Sequence, residues 1–221
     1  MIGAKGRMGL SIAKLIEEDA SLKLAAGIDV GDTLADKIDN ADALIDFSRP
    51  AATVEAVEMA ANKNKAVVIG TTGFSDDELL KIKMCSDRIP ILLSSNMSRG
   101  VNTMFEVLKK TLTLLGTEYN IDIIEKHHIH KKDKPSGTAK SLLDIIHSQK
   151  REAHVDAIRE GEIIGEHEVK FSSTQETLTI SHVAHDRDIF AKGAIKAAKW
   201  LIGQKPGLYS MIDFLNSHHE K

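Results

Sequence analysis

"GAKGRMGLSIAKLIEE", residues 3–18, sets Gly3, Gly6 and Gly9 at three-residue spacing directly ahead of a helical pattern. Glycines spaced in this way let backbone amides approach a pyrophosphate, whose charge then faces the N-terminus of the following helix. A purely structural glycine turn would read the same, so the stretch needs a companion. Asp29 provides one. It closes the apolar run "LAAGI" (24–28) about 20 residues on, where a dinucleotide site places an acid on the adenosine ribose diol.

Beyond the loop, further apolar runs follow at "ALIDF" (43–47), "AVVIG" (66–70) and "IPILL" (89–93), separated by helical segments such as "AATVEAVEMAANK" (51–63). Runs of about five residues without polar alternation suit strands buried on both faces of a parallel sheet flanked by helices. The first half therefore reads as doubly wound α/β. Before Gly3, however, stand only Met1 and Ile2, where a dinucleotide fold needs an apolar central strand. The expectation is a Rossmann-like dinucleotide-binding domain without its first strand in this chain.

The second half changes character. Val101, Phe105, Leu108, Leu112 and Leu115 recur near helical spacing, and Gly116 supplies a stop. "YNIDIIEKHH" (119–128) reads as a strand, "GTAKSLLDIIHSQK" (137–150) as a helix, and "HEVKFSS" (167–173) and "ETLTISHVA" (176–184) as strands with partial alternation. A helix "FAKGAIKAAKWLIG" (190–203) and a tail "GLYSMIDFL" (207–215) close the chain. The expected division is a dinucleotide-binding domain over 1–98, completed by 190–221, and a smaller α+β domain with a mixed sheet over 99–189.

A formal charge of -3 over 221 residues gives no global field to collect nucleic acid or an acidic membrane surface. No stretch approaches a membrane span, and no signal peptide precedes the glycines. The single Cys85 has no internal partner, which fits a reducing cytoplasm, and reads as a structural thiol. The expectation is a soluble cytoplasmic protein with neither nucleic-acid nor membrane partners.

Anion binding must then be local, and "EKHHIHKKDKPSGTAK" (125–140) offers it. Within 126–134, Lys126, Lys131, Lys132 and Lys134 stand against Asp133, beside His127, His128 and His130. The break into Pro-Ser-Gly-Thr reads as a helix start, with Ser136 as N-cap and the amides near Gly137 and Thr138 open to a carboxylate. A solvated basic loop is the other reading of these residues. A metal on His128 and His130, which would share a strand face, lacks a cysteine or carboxylate to complete its ligands, so no metal is expected.

On "GAKGRMG", "IDFSRP", "GTTGF", "SSNMSRGVN", "EKHHIHKKDKPSGTAKSL", "REGEIIGEHEVKF" and "GLYSMIDFL", the chain resembles the 4-hydroxy-tetrahydrodipicolinate (dihydrodipicolinate) reductase family almost end to end. That resemblance implies NADH- or NADPH-dependent reduction of a cyclic dicarboxylate on the diaminopimelate route to lysine. It also implies a substrate-binding and oligomerisation domain whose sheets assemble a homotetramer. By the same resemblance His127 is the general acid/base and Lys131 the proton donor, while His128, Ser136, Gly137 and Thr138 meet the substrate. The cofactor would be held by Gly3, Lys5, Gly6, Arg7, Met8 and Gly9 of the loop and by Asp29. Further contacts would come from Phe47, Arg49, Gly70, Thr71, Thr72, Ser95, Asn96 and Met97.

The chain departs from the family between Asp29 and "ALIDF", where "VGDTLADKIDNAD" is short enough to lack a peripheral strand and helix. His182 and His185 read as structural or interface residues, and His218 and His219 of the polar tail are assigned nothing. Two other functions stay open: a truncated, non-catalytic paralogue acting in binding or assembly, and a two-domain dehydrogenase for an amino acid or its semialdehyde. The latter would not need the His-His-x-His-Lys stretch.

Overall fold

The computed structural model describes residues 1–217; His218 and His219 lie outside the described residues. Contacts divide the chain into two units, Met1–Met97 with residues from Asp188 onward, and Ser98–Arg187. The first unit holds α1 (Arg7–Glu17), β1 (Ala43–Asp46), α2 (Pro50–Asn62), β2 (Ala66–Ile69), α3 (Asp76–Ser86) and β3 (Pro90–Leu93). The second holds α4 (Arg99–Leu114), β4 (Asn120–His127), α5 (Gly137–Ser148), β5 (His154–Arg159), β6 (Gly165–Ser172) and β7 (Thr177–Ala184). The chain then returns to the first unit with α6 (Asp188–Leu201), β8 (Gly207–Tyr209) and α7 (Met211–Asn216).

In the first unit β1, β2, β3 and β8 lie in that order, all parallel. β1, β2 and β3 are buried on both faces, which is why they are largely apolar, Asp46 apart. Val67, Ile69 and Ile91 point into a core shared with Val57 and Ala60 of α2 and Ile82 of α3. Val68 and Leu92 point the other way, against Ile12 of α1 and Ala191, Ala194 and Ile195 of α6.

Met1 and Ile2 take the place expected of the missing strand. Ile2 is bridged in parallel to Ile28 on one side and Asp46 on the other, through bonds such as Ile2 N–H to Ile45 O at 2.9 Å and Ile28 N–H to Met1 O at 2.8 Å. The expected strand at 24–28 does not form: only Ile28 is bridged. The reason is local: ahead of Ile28 the run has only Met1 beside it, whose ammonium donates to Ala26 O at 2.9 Å, and one such bond does not make a ladder. A cleft of about 680 Å³ opens there, lined by Ile16, Leu22, Leu24, Leu44 and Ala198 among others. Between Asp29 and β1 there is one 3-10 turn, Ile38–Asn40, and neither strand nor α-helix, as the shortened sequence suggested.

In the second unit the strand order is β5-β4-β6-β7, with β5 parallel to β4 and the remaining pairs antiparallel. β5 was not expected from sequence. "HVDAIR" alternates exposed and half-buried positions, so it carries no apolar run. α4 and α5 cover one sheet face, where Leu108, Leu142 and Ile146 enclose Ile123, Val169 and Phe171. Phe171 is fully buried, so truncation to alanine would cost about 3–5 kcal/mol. Alternate residues then turn Glu125, His127 and His167 to the same inward side.

Candidate active site

In the first unit the ends of the parallel strands carry the residues expected to hold a dinucleotide. Gly3 follows Ile2, Asp29 follows Ile28, Phe47 follows β1, Gly70 follows β2 and Ser95 lies just beyond β3. Ligands in open α/β sheets bind outside the carboxyl ends of the strands. Gly3 has φ +76°, and a Cβ on Gly9 would stand 2.3 Å from the Gly3 carbonyl oxygen, so the loop closes on α1 more tightly than any side chain permits. α1 starts at Gly6 with no side-chain cap; its first-turn amides have no acceptor within the helix. α3, α4, α5 and α7, by contrast, are capped by Ser75, Ser98, Ser136 and Ser210.

Asp29 is tied to this loop, its carboxylate accepting from the Lys5 amide at 2.8 Å and the Val30 amide at 2.8 Å. These bonds, the first above all, hold its carboxyl below the usual range. Beside it lies a pocket of about 390 Å³ lined by Val30, Thr33, Arg49, Glu55 and Met59 among others. Lys5, Gly6, Arg7, Arg49, Thr72 and Ser95 are exposed, and Met8, Phe47, Gly70 and Asn96 are half-buried. Two expected contacts are otherwise engaged. The Thr71 hydroxyl donates to Asp46 Oδ1 at 3.0 Å and accepts from the Ser48 amide, while the Met97 side chain is buried in the core. Asp46 is fully buried, and burial pushes its carboxyl up despite bonds from Ser48 and Thr71.

In the second unit the site grows from the end of β4. Glu125 and His127, two residues apart on one strand, share a face. Glu125 Oε2 meets His127 Nδ1, while Oε1 accepts from Arg159 Nη2 at 2.8 Å and the Ser136 amide at 3.1 Å. Burial opposes ionisation of Glu125, but the Arg159, His127 and Ser136 donors outweigh it and hold the carboxyl below its ordinary value. His127 is lowered, chiefly by burial, against the raising influence of Glu125.

His167 faces Glu125 across β6. Its ring centroid is 5.1 Å from that of His127, edge to face, and its Nε2 lies 3.3 Å from Ser136 Oγ. Burial keeps it neutral, with its pKa pushed down to about 3. His182 continues the row on β7 and packs over Gly100, where a Cβ would stand 2.8 Å from the ring.

The loop after β4 carries the remaining cations. β4 ends at His127, so His128 and His130 sit on a turn and share no strand face, contrary to expectation. The His128 amide donates to Ile163 O at 2.7 Å. Lys131 Nζ pairs with Asp133 Oδ1 at 2.8 Å. Ser136 caps α5 by accepting from the Ala139 amide, as expected. Its side chain is thereby buried, leaving Gly137 exposed and Thr138 half-buried on the helix's first turn. Glu125, Arg159 and His167 went unassigned in the sequence. The usable signal was Glu125 lying two residues from His127 on a strand, hence on its face.

Donor atoms of Glu125, His127 and His167 lie within 4.8 Å of one another, a set with zinc-type chemistry. Arg159, however, already occupies the carboxylate, and Lys131 acts on both imidazoles. A cation entering there would face two positive charges. The arrangement suits proton transfer to an anionic ligand.

Family models for the dihydrodipicolinate reductase N-terminus and C-terminus match residues 1–97 and 100–215. The chain belongs to the dihydrodipicolinate reductase family. A family member from Alkaliphilus oremlandii, named 4-hydroxy-tetrahydrodipicolinate reductase, is 39% identical, with 97% of this chain and 96% of the relative covered. One of the same name from Caldanaerobacter subterraneus is 40% identical, with 96% of each covered. Among solved structures, a dipicolinate-bound dihydrodipicolinate reductase from Paenisporosarcina sp. TG-14 has a TM-score of 0.75 at 19% identity, over 95% of both chains. A C. glutamicum DAP dehydrogenase has a TM-score of 0.60 at 13% identity, over 96% of this chain and 92% of the neighbour, and at that distance shares the fold alone.

Proposed function

We propose that the chain reduces 4-hydroxy-tetrahydrodipicolinate (dihydrodipicolinate) to tetrahydrodipicolinate, using NADH or NADPH, on the route to diaminopimelate and lysine. The observation that carries this reading is the buried Glu125–His127 pair standing with Lys131 and the start of α5 at one end of a single sheet. Family membership over both halves adds to it and leaves little support for a truncated, non-catalytic paralogue. Fold likeness to amino-acid dehydrogenases lends the third reading no chemistry.

The glycine loop, the uncapped start of α1 and Asp29 suit the pyrophosphate and ribose of a nicotinamide dinucleotide, which when bound supplies the hydride. The chain's own residues do the rest. Amides of Gly137 and Thr138, with the Thr138 hydroxyl, hold one substrate carboxylate at the helix N-terminus. His128 attracts the other. Lys131 delivers a proton and positive potential where negative charge develops, and His127 serves as general acid/base. Ser136 contributes by capping the helix that presents these amides.

NADH serves at least as well as NADPH in this reading. The ionised Asp29 accepts from both ribose hydroxyls and repels a 2'-phosphate, and Val30 beside it brings no cation. Lys5 and Arg49 both act on Asp29 and soften that repulsion, so dual use is expected. Four copies assemble through the uncovered side of the second unit's sheet, where Ile124 and Val183 alternate with charged groups. A reducing cytoplasm suits the lone Cys85.

The deciding experiment follows nicotinamide absorbance with the product of the preceding synthase as substrate. Turnover with either cofactor supports the assignment, and none with both overturns it. A hundredfold preference for NADPH in kcat/KM would overturn the Asp29 argument alone, and sedimentation as a monomer the assembly.

A further inference from the structure

Every hydrogen bond to the Glu125 carboxylate comes from an element other than its own turn of chain, except the one from His127. Oε1 is taken by Arg159 of β5 and by the amide of Ser136, at 2.8 and 3.1 Å. Oε2 is left for His127 Nδ1. An ionised carboxylate can only accept, so Nδ1 must be the nitrogen that donates. Nε2 is then the free end of the imidazole, and it points past Gly165, where a Cβ would stand 3.1 Å away. Glycine at that position leaves the nitrogen unobstructed.

Arg159 does more than neutralise Glu125. Its Nε donates to the Lys131 carbonyl at 3.3 Å and its Nη2 to the Asp133 carbonyl, while Nη1 returns to Ile158 O at 2.7 Å. One guanidinium thus binds the carboxylate behind His127 and the backbone of the turn that carries Lys131. Arginine's rigid fork of donors suits this, and lysine's single ammonium does not.

We propose that Glu125 is a positioning residue that fixes the Nδ1–H tautomer of His127, and that Arg159 locks Glu125 in place while tying the Lys131 loop to the same point. The inference rests on the proposed reductase reading, which gives His127 and Lys131 their proton-handling roles. Geometry alone carries the tautomer. The groups that face His127 are Glu125 from its own strand, Arg159 from β5, His167 from β6 and Lys131 from the loop. Of these only Glu125 favours the imidazolium. Its removal should therefore shift the pH limb that belongs to His127 toward lower pH, whichever direction of proton transfer that limb reports.

The first test is a long-range proton–nitrogen NMR spectrum of the imidazoles in the intact wild-type protein, which needs neither substrate nor variant. The proposal requires the proton on Nδ1 of His127, with Nε2 unprotonated above its pKa; the opposite tautomer overturns it. The second test is Glu125→Gln. We expect kcat to fall about 10²-fold, the lower end of what acid–base catalysis contributes, with KM for the dicarboxylate nearly unchanged and the limb moved to lower pH. A fall in kcat with an unmoved limb would mean a merely structural role and would also overturn the proposal. If Glu125→Gln does not fold, Arg159→Lys takes its place: it keeps the charge, loses the fork, and should lower kcat about tenfold while loosening His127's preference for Nδ1–H. Should the wild type show no reductase activity, the functional reading fails, while the tautomer still decides the part assigned to Glu125.

Discussion

Lys131 and Lys132 adjoin in sequence, yet the structure gives them different surroundings, and replacing each by alanine tests the proposed proton donor against an undifferentiated basic patch. Lys131 is 23% exposed and ion-paired to Asp133 at 2.8 Å. It also depresses the neighbouring His127, adding to the dominant effect of burial. Lys132 is exposed. An ion pair this open to solvent contributes about 0–1 kcal/mol to folding, so Lys131→Ala should leave the urea midpoint nearly in place. If Lys131 gives its proton as hydride arrives, its loss is felt in the transition state and lowers kcat about 10²- to 10⁴-fold. At about 1.4 kcal/mol per decade that is roughly 3–5 kcal/mol. Lys132→Ala removes only an exposed charge on the scale of about 0.5 kcal/mol, about a twofold loss, fading as salt shortens the screening length to about 8 Å at 0.15 M. The assay is steady-state nicotinamide oxidation across pH at two ionic strengths, with stability matched by denaturation. Lys131→Ala should also move the His127 limb to higher pH, opposite in sign to Glu125→Gln. Equal losses of kcat in the two lysine variants would refute the reasoning.

Thr138→Val keeps the shape of the α5 start and removes one donor to a ground-state carboxylate, so KM for the dicarboxylate should rise about tenfold, on the scale of about 1.5 kcal/mol for a bond to a charged group, with NADH affinity unchanged by fluorescence titration. His167 is buried with its pKa at about 3, below the value near 6.5 of an unfolded chain. The unfolded state therefore binds more protons in that window, and stability present above about pH 6.5 should be lost as pH falls toward 3, by up to about 1.4 kcal/mol per unit. His167→Leu should flatten that slope in urea melts taken between pH 4 and 7. Adding five apolar, β-branched residues ahead of Met1 would pair the unbridged backbone of 24–27, fill part of the 680 Å³ cleft and turn the buried Met1 ammonium, whose pKa burial lowers, into a peptide bond. A gain of at least about 2 kcal/mol, one buried Val or Leu side chain, is expected in the urea midpoint, and an unchanged midpoint would count against the reading of that cleft.

What could be read from the chain alone was what short-range rules govern. The runs at 43–47, 66–70 and 89–93 read as doubly buried strands, because apolar residues stand next to one another there without polar alternation, Asp46 being the one polar residue among them. Ser136 had to cap α5, because a serine ahead of Gly-Thr-Ala satisfies an amide three residues on. The glycine loop and Asp29 raised the expectation of a dinucleotide site, and the His-Lys stretch, with its family resemblance, that of the chemistry. Pairing partners far along the chain were beyond reach. "LAAGI" has every local mark of a strand and forms one bridge, because strand formation needs a neighbour and only Met1 and Ile2 lie alongside. "HVDAIR" lacks those marks and forms β5, because β4 offers it an edge. That pairing brings Arg159 to a carboxylate 34 residues away, and the register of β6 sets His167 opposite the same carboxylate. The family resemblance, and not composition or period, named His127 and Lys131 as the proton-handling groups. Only the register between strands, set by packing over the whole sheet, determined which charges stand behind them.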